Sequence, residues 1–310
     1  MSEEKLVTEN MEAVPTQKKE KRHMKMKTKR TISHAFIYTM LVIMSVIWIF
    51  PFVCILLQSF RTESTWIVGY IVPKDWGFDN YVRLFTDSPF AKGGFFRWYI
   101  NTLIISIFTA AFQTIIVLLM SYTLSRLRFK GRKLLMNTML ILGMFPGMLT
   151  MIILYRVLND LGLTEANAIP GLILVYVASS GMGYYVSKGF FDTIPKSLDE
   201  AARVDGATRA QVLTKVILPL SKPIVIYTLL TAFMGPWGDF VFASYIAHNN
   251  SQGMNVAVGL QNMIKSLSAI NENYTVFCAG GVLVAIPIAV LFMCLQKYYV
   301  EGVTGGAVKG

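Results

Sequence analysis

Long uncharged runs alternate with short charged segments along this chain. A helix needs about 20 residues to cross roughly 30 Å of hydrocarbon at about 1.5 Å per residue. Six runs reach that length, at residues 35–57, 98–125, 134–155, 166–187, 223–247 and 273–296, and only the fifth contains an acid, Asp239. The pattern predicts an all-α polytopic membrane protein with six transmembrane helices. The first run exceeds the roughly 7–15 apolar residues of a signal peptide and no small-residue cleavage site follows Leu57, so it is expected to remain in the mature chain.

Basic residues orient the runs. Lys18, Lys19, Lys21, Arg22, Lys25, Lys27, Lys29 and Arg30 precede the first, and Arg126, Arg128, Lys130, Arg132 and Lys133 follow the second. Both ends therefore belong in the cytoplasm. Alternation places residues 188–222 inside as well, while 249–272 carries only Lys265 as a basic residue and belongs outside. Both termini are expected in the cytoplasm: a basic tail over residues 1–30, polar and without apolar periodicity, and a short tail over 299–310.

Composition narrows the classes further. The 310 residues carry a net charge of +11, are 54% hydrophobic and only 15% charged, against roughly 25% charged in soluble domains. A water-soluble enzyme is excluded. Three cysteines inside apolar runs suggest no disulfide framework, and His23, His34 and His248 are too scattered for a zinc site. No metal or cofactor is expected. The basic tail abuts a span and lacks interleaved aromatic residues, which favours membrane lipid as its partner and excludes nucleic acid.

Two connections are longer than a turn. The outer one, residues 61–97, mixes Trp66, Tyr70, Trp76, Phe78, Tyr81 and Phe85 with charges of both signs; it reads as an interfacial cap or as an aromatic platform for carbohydrate. The inner one, 188–222, reads as two short helices meeting at a glycine. Ser197 and Glu200 have capping-box spacing, so a helix is expected to start at Ser197. Gly206 is placed to stop it in a left-handed conformation, Thr208 to cap the next helix and Pro219 to limit that one.

These residues carry a resemblance. Glu200-Ala201-Ala202, Gly206, then Val216, Leu218 and Pro219 match the EAA loop of ABC-importer permeases, with Val216 standing for an isoleucine. Residues 80–85, 98–103, 121–126 and the closing 296–310 are similar to the carbohydrate branch of that family, most of all to its six-span maltose/maltodextrin subunits. The resemblance covers the chain from about residue 31 onward. It implies a type I ABC importer (MetI-like) permease fold in a bacterial plasma membrane. It implies these partners: a second permease subunit, most often a different one, two ATP-binding subunits, an extracytoplasmic sugar-binding protein and an oligosaccharide. Glu200, Ala201, Ala202, Gly206, Leu218, Pro219 and Ser197 would couple to the ATPase, and the tail with Gly305, Gly306, Lys309 and Gly310 would reach between the ATPase subunits in extended form, a frayed terminus being the other reading.

The chain itself has no phosphate-binding G-x-x-x-x-G-K-[ST] sequence, so ATP hydrolysis is expected on another polypeptide. Asp239 lies sixteen residues into the fifth run, about 24 Å from its inner end. Two readings stand for it: a sugar-hydroxyl acceptor in a translocation pathway, with Trp237 stacking on the sugar ring, or an acid paired to a polar neighbour near the outer surface. Asn250, Ser251, Gln252, Gly253 and Asn255 form an uncharged segment between the fifth and sixth runs. It is expected to be flexible, and by position it resembles the family's loop that enters the binding protein's cleft, a plain connection being the other reading. A secondary transporter is the rival class; it ordinarily needs several intramembrane ionisable groups, and here one is visible.

Overall fold

The computed structural model describes residues 16–86, 94–248 and 250–307, and side chains over 30–86, 94–248 and 250–298. The described chain is helical, and its one β-bridge joins Arg61 to Trp76. By contact it divides into two units, residues 1–54 and 55–310.

Helix α1 (Thr16–Ser59) supplies the first unit. It begins at Thr16, which corrects the expectation of an unstructured tail through residue 30. The segment is rich in Lys, Met and Arg, unbranched at Cβ and good helix formers, so backbone helix continues from the apolar run into it.

The second unit starts at Ile55, with the last residues of α1, and continues through the outer connection, which contains the short α2 (Asp79–Thr86), to α3 (Phe95–Arg126). Alone among the six apolar runs, α3 contains neither glycine nor proline. It is continuous over 32 residues, about 48 Å.

The next spans are broken. The third run is α4 (Arg132–Gly143) and α5 (Gly147–Asp160), meeting at 99°. Pro146 explains the break, because it has no N–H to donate and forces Phe145 away from helical geometry. The fourth run consists of a 3₁₀ turn at Glu165–Asn167, α6 (Ala168–Ala178) and α7 (Gly181–Thr193), bent by 40°. At that bend the Ser180 hydroxyl donates to the Val177 carbonyl at 2.7 Å, satisfying an end of the ladder.

The inner connection holds α8 (Lys196–Val204), then α9 (Arg209–Gln211), a π-helical stretch Val212–Ile217 and α10 (Leu218–Leu220). Widening to π geometry just before Pro219 relieves the clash of its ring with the preceding turn. The helix therefore passes Pro219 and stops at Ser221, two residues later than expected. After an 86° bend comes α11 (Lys222–Gly238), then α12 (Val241–Ala247), α13 (Val256–Met263) and α14 (Leu267–Ala307). Three helices are thus long and apolar enough to cross a membrane, and six spans result when each bent pair counts as one.

The core of the second unit gathers around α3. Trp98 and Ile105 of α3 pack in one cluster with Leu172, Trp237, Ile246, Val258 and Val276. A second, smaller cluster joins Leu118 and Tyr122 of α3 to Phe191, Ile194, Val212, Leu213 and Ile217. It holds the inner connection against the C-terminal end of α3.

Candidate functional site

The inner connection is built as a rigid corner. Helix α8 ends at Asp205, Gly206 follows at φ +85°, and the Ala207 and Gly206 amides return to the Ala202 and Arg203 carbonyls at 2.9 and 3.1 Å. That pair of bonds is a Schellman cap, so Gly206 stops the helix as its position predicted. Thr208 caps α9 reciprocally: its hydroxyl accepts from the Gln211 amide at 3.3 Å and its own amide donates to Gln211 Oε1 at 2.8 Å. The capping box is therefore at Thr208, not at Ser197. The N-cap of α8 is Pro195, two residues before Ser197, and no side chain caps the helix. Pro195 fixes the extended backbone that begins the helix, and Ser197 is left exposed in the first turn.

Glu200, Ala201, Ser197 and Gly206 are exposed, whereas Ala202 and Leu218 pack partly on the smaller core cluster. The other side of α8 is anchored. Asp199 Oδ2 lies 3.0 Å from Arg126 Nε, with only 14% and 4% of the two side chains exposed. Arg126 also donates through Nη2 to the Ile194 carbonyl at 3.0 Å. Around it, Ser125 Oγ donates to Asp192 Oδ1 at 2.6 Å, Tyr122 Oη to the Arg209 carbonyl at 3.3 Å and Ser121 Oγ to the Tyr184 carbonyl at 3.0 Å. Sequence reasoning counted Arg126 only as an orienting charge. Its place as the last residue of an apolar run, with acids in the next inner segment, was the available signal.

Near the other end of the spans, three breaks converge on one cleft of about 410 Å³ lined by Gly147, Met151, Val175, Tyr176, Asp239 and Phe242. Gly147 opens α5, while Asp239 separates α11 from α12. Asp239 is half-buried and engaged at both oxygens: Tyr176 Oη donates to Oδ2 at 2.5 Å and the Phe242 amide to Oδ1 at 3.0 Å. Trp237 does not line the cleft. It is 3% exposed, with Tyr99 edge-on at 5.3 Å and Phe233 at 6.0 Å between ring centroids. The expected stacking on a sugar is corrected, because the ring is already packed in the core.

The segment after α12 is pinned rather than flexible. Asn255 is fully buried, donates through Nδ2 to the Pro236 and Asp239 carbonyls at 3.1 and 2.8 Å, and accepts the Val258 amide at 2.9 Å. Asn101 of α3 donates to the Gln252 and Met254 carbonyls, both at 2.8 Å, and Thr102 Oγ1 accepts the Val256 amide at 2.7 Å. Gly253 is buried so close to the Glu165 carbonyl that a Cβ would stand 1.8 Å from it. Ser251 and Gln252 remain exposed and Asn250 half-buried.

In the outer connection Phe60 gathers Trp76, Phe78 and Tyr81 within 6.3 Å between centroids. Arg61, 1% exposed, donates to the Glu63 and Thr65 carbonyls, a burial its loop position did not announce. At the C-terminal end, Gly305 and Gly306 lie in the helical backbone of α14, not in extended chain, because no proline stops the helix after Gln296. Lys309 and Gly310 lie outside the described residues. Among the described residues, no cluster of His, Cys, Asp or Glu could hold a metal ion.

Residues 118–305 match the family of binding-protein-dependent transport system inner membrane components. The chain belongs to this family. Within the binding-protein-dependent permeases it is 37% identical over 286 residues to the galactooligosaccharides transport system permease protein GanQ of Bacillus subtilis, covering 92% of this chain and 99% of that one. It is 35% identical to the maltodextrin transport system permease protein MalD of Streptococcus pneumoniae, over 92% and 98% of the two chains. Among solved structures, a chain of a bacterial ABC transporter involved in the import of the acidic polysaccharide alginate superposes with a TM-score of 0.72 at 25% identity, covering 87% of this chain and 98% of that one. Membership makes the chain a transport subunit of an importer and removes the rival of a secondary transporter.

Proposed function

We propose that this permease subunit imports a neutral oligosaccharide of the maltodextrin or galactooligosaccharide kind, together with a second permease, two ATP-binding subunits and an extracytoplasmic sugar-binding protein. The observation that carries the reading is the exposed corner at α8. Glu200 and Ala201 face outward on a helix fixed by the Gly206 cap on one side and by Arg126 on the other. A small alanine surface beside one acid suits insertion into a groove of a soluble ATPase, and the absence of a phosphate-binding loop in the sequence assigns ATP hydrolysis to that partner.

The cleft at Asp239 supplies half of the translocation pathway in this reading. Non-helical backbone at membrane depth is tolerated where it is buried in protein or lines a cavity, and three broken spans meet there. Asp239 and Tyr176, whose proton is held by the acid, offer oxygen acceptors to sugar hydroxyls, while Met151, Val175 and Phe242 give an apolar wall for sugar C–H faces. Ser251 and Gln252, with Asn250 beside them, present the polar surface that meets the binding protein. Both termini and α8 are cytoplasmic, in accord with the basic residues at their membrane ends.

The test is co-purification of an internally tagged chain after mild detergent extraction. Recovery of a second permease and an ATPase, with the ATPase lost in Glu200→Lys at unchanged insertion, supports the reading. Normal ATPase docking and sugar uptake in Glu200→Lys would overturn it. Uptake of labelled maltodextrin and galactooligosaccharide by the intact system then separates the two sugars.

A further inference from the structure

The inner corner at α8 and the pinned segment at residues 250–256 stand at opposite ends of one element. At its C-terminal end α3 holds α8 through Arg126 and Asp199, and α7 through Ser125 and Asp192. Near its N-terminal end it holds the outer segment through Asn101 and Thr102, which engage residues 252, 254 and 256. One turn away Tyr99 packs against Trp237, two residues before the cleft acid. Helices bend sharply at proline, at glycine or where the hydrogen-bond ladder is interrupted. The third, fourth and fifth apolar runs are broken at such positions; α1 and α14 are continuous but carry Pro51 and Gly280, Gly281 and Pro287, and α3 alone runs unbroken, for 32 residues, with neither residue type.

We propose that α3 is the stiff transmission element of the subunit, with Arg126 and Asn101 as positioning residues that fasten its two ends to the ATPase-facing corner and the binding-protein-facing segment. The proposal rests on the partner assignments made above. Engagement at residues 250–252 loads the carbonyls that Asn101 holds, α3 shifts as a body, and Arg126 carries Asp199 and α8 with it. The bent spans yield around the cleft while α3 keeps its length, so a displacement at one end reaches the other undiminished. Coupling of this kind requires an element whose position both sites bias, and α3 is the element that both sites grip.

The decisive variant leaves both grips untouched. Ala110→Gly together with Ala111→Gly places a hinge at the middle of α3, where Ala111 is exposed and no side-chain contact is lost beyond two methyl groups. In the assembled transporter this pair should keep its ATPase subunits and basal ATP hydrolysis but lower stimulation by the sugar-loaded binding protein about tenfold. Ala111→Leu, which adds bulk on the exposed side without a hinge, should keep full stimulation. Full stimulation in the double-glycine variant would overturn the proposal.

A second measurement needs no partner. In the purified full-length chain, Asp199→Asn should speed amide hydrogen exchange at Val256 and Val258 severalfold, and the double-glycine hinge should abolish that response. Unchanged exchange at those amides in Asp199→Asn would overturn the transmission role. Failure of the wild-type chain to recruit an ATPase, with the exchange response to Asp199→Asn present, would overturn the partner assignment and support the stiff link.

Discussion

Asn255 fastens the broken end of α11 to the start of α13: its Nδ2 donates to the Asp239 carbonyl at 2.8 Å while its Oδ1 accepts the Val258 amide at 2.9 Å. One buried side chain thus satisfies three backbone groups, counting the Pro236 carbonyl. Asn255→Ala leaves those groups unpaired away from water, at a cost of about 2–4 kcal/mol. The variant should unfold at a clearly lower temperature in detergent than the wild type, whereas Ser251→Ala, on the exposed side of the same segment, should not. Equal midpoints for all three proteins would remove Asn255 from its role as a fastener.

Gly206 is the pivot of the inner corner, at φ +85° with open space around it. A side chain there meets no neighbour, so the cost of replacement is the left-handed backbone alone, about 1–2 kcal/mol for most residues. Gly206→Val should weaken ATPase retention in pull-down, and Gly206→Asn, whose side chain tolerates this conformation, should retain most of it. If Val and Asn behave alike, backbone conformation is not what the position supplies.

The six spans and the inner corner were legible because they depend on local pattern: uncharged length for the spans, a glycine and a threonine at fixed offsets for the corner. What was not legible depends on tertiary context. Ser197 and Glu200 have capping-box spacing, yet Pro195 takes the N-cap two residues earlier and leaves the serine inside the first turn. Trp237 and Asp239 are neighbours in sequence, but the helix break at Asp239 sends the acid to the cleft and leaves the indole in the core. An uncharged, asparagine-rich segment reads as flexible until Asn101, 151 residues from Gln252, is seen to hold it. Composition carries no trace of a partner that distant.

Gly253 is required by contact rather than by conformation. A Cβ there would stand 1.8 Å from the Glu165 carbonyl oxygen and 2.9 Å from the Ala168 Cβ. The first is backbone of the short turn that begins the fourth span and the second the opening residue of α6, and neither can withdraw as a flexible side chain would. Gly253→Ala should therefore displace the segment, at a cost of about 1–3 kcal/mol for overpacking, and lower the yield of monodisperse protein. Wild-type yield and unfolding temperature for Gly253→Ala would show that the approach is looser than this packing implies.

Asp239 allows its charge and its bonding to be tested apart. Asp239→Asn keeps the shape, keeps an acceptor for the Phe242 amide and can donate to the Tyr176 oxygen in place of accepting from it, so the break between α11 and α12 should persist. What it loses is a carboxylate, and hydrogen bonds to a charged acceptor are roughly twice as strong as neutral ones. If sugar hydroxyls bind there, uptake should fall about tenfold, equivalent to about 1.4 kcal/mol, at unchanged expression and unfolding temperature. Tyr176→Phe has the opposite profile, because it strips the carboxylate of a partner inside the fold and should lower stability by about 1–3 kcal/mol. Side-by-side uptake and thermal unfolding of the two variants decides between the roles. A transport defect confined to Asp239→Asn assigns the acid to the pathway, and a stability defect shared by both with normal uptake per folded molecule assigns the pair to the architecture of the break.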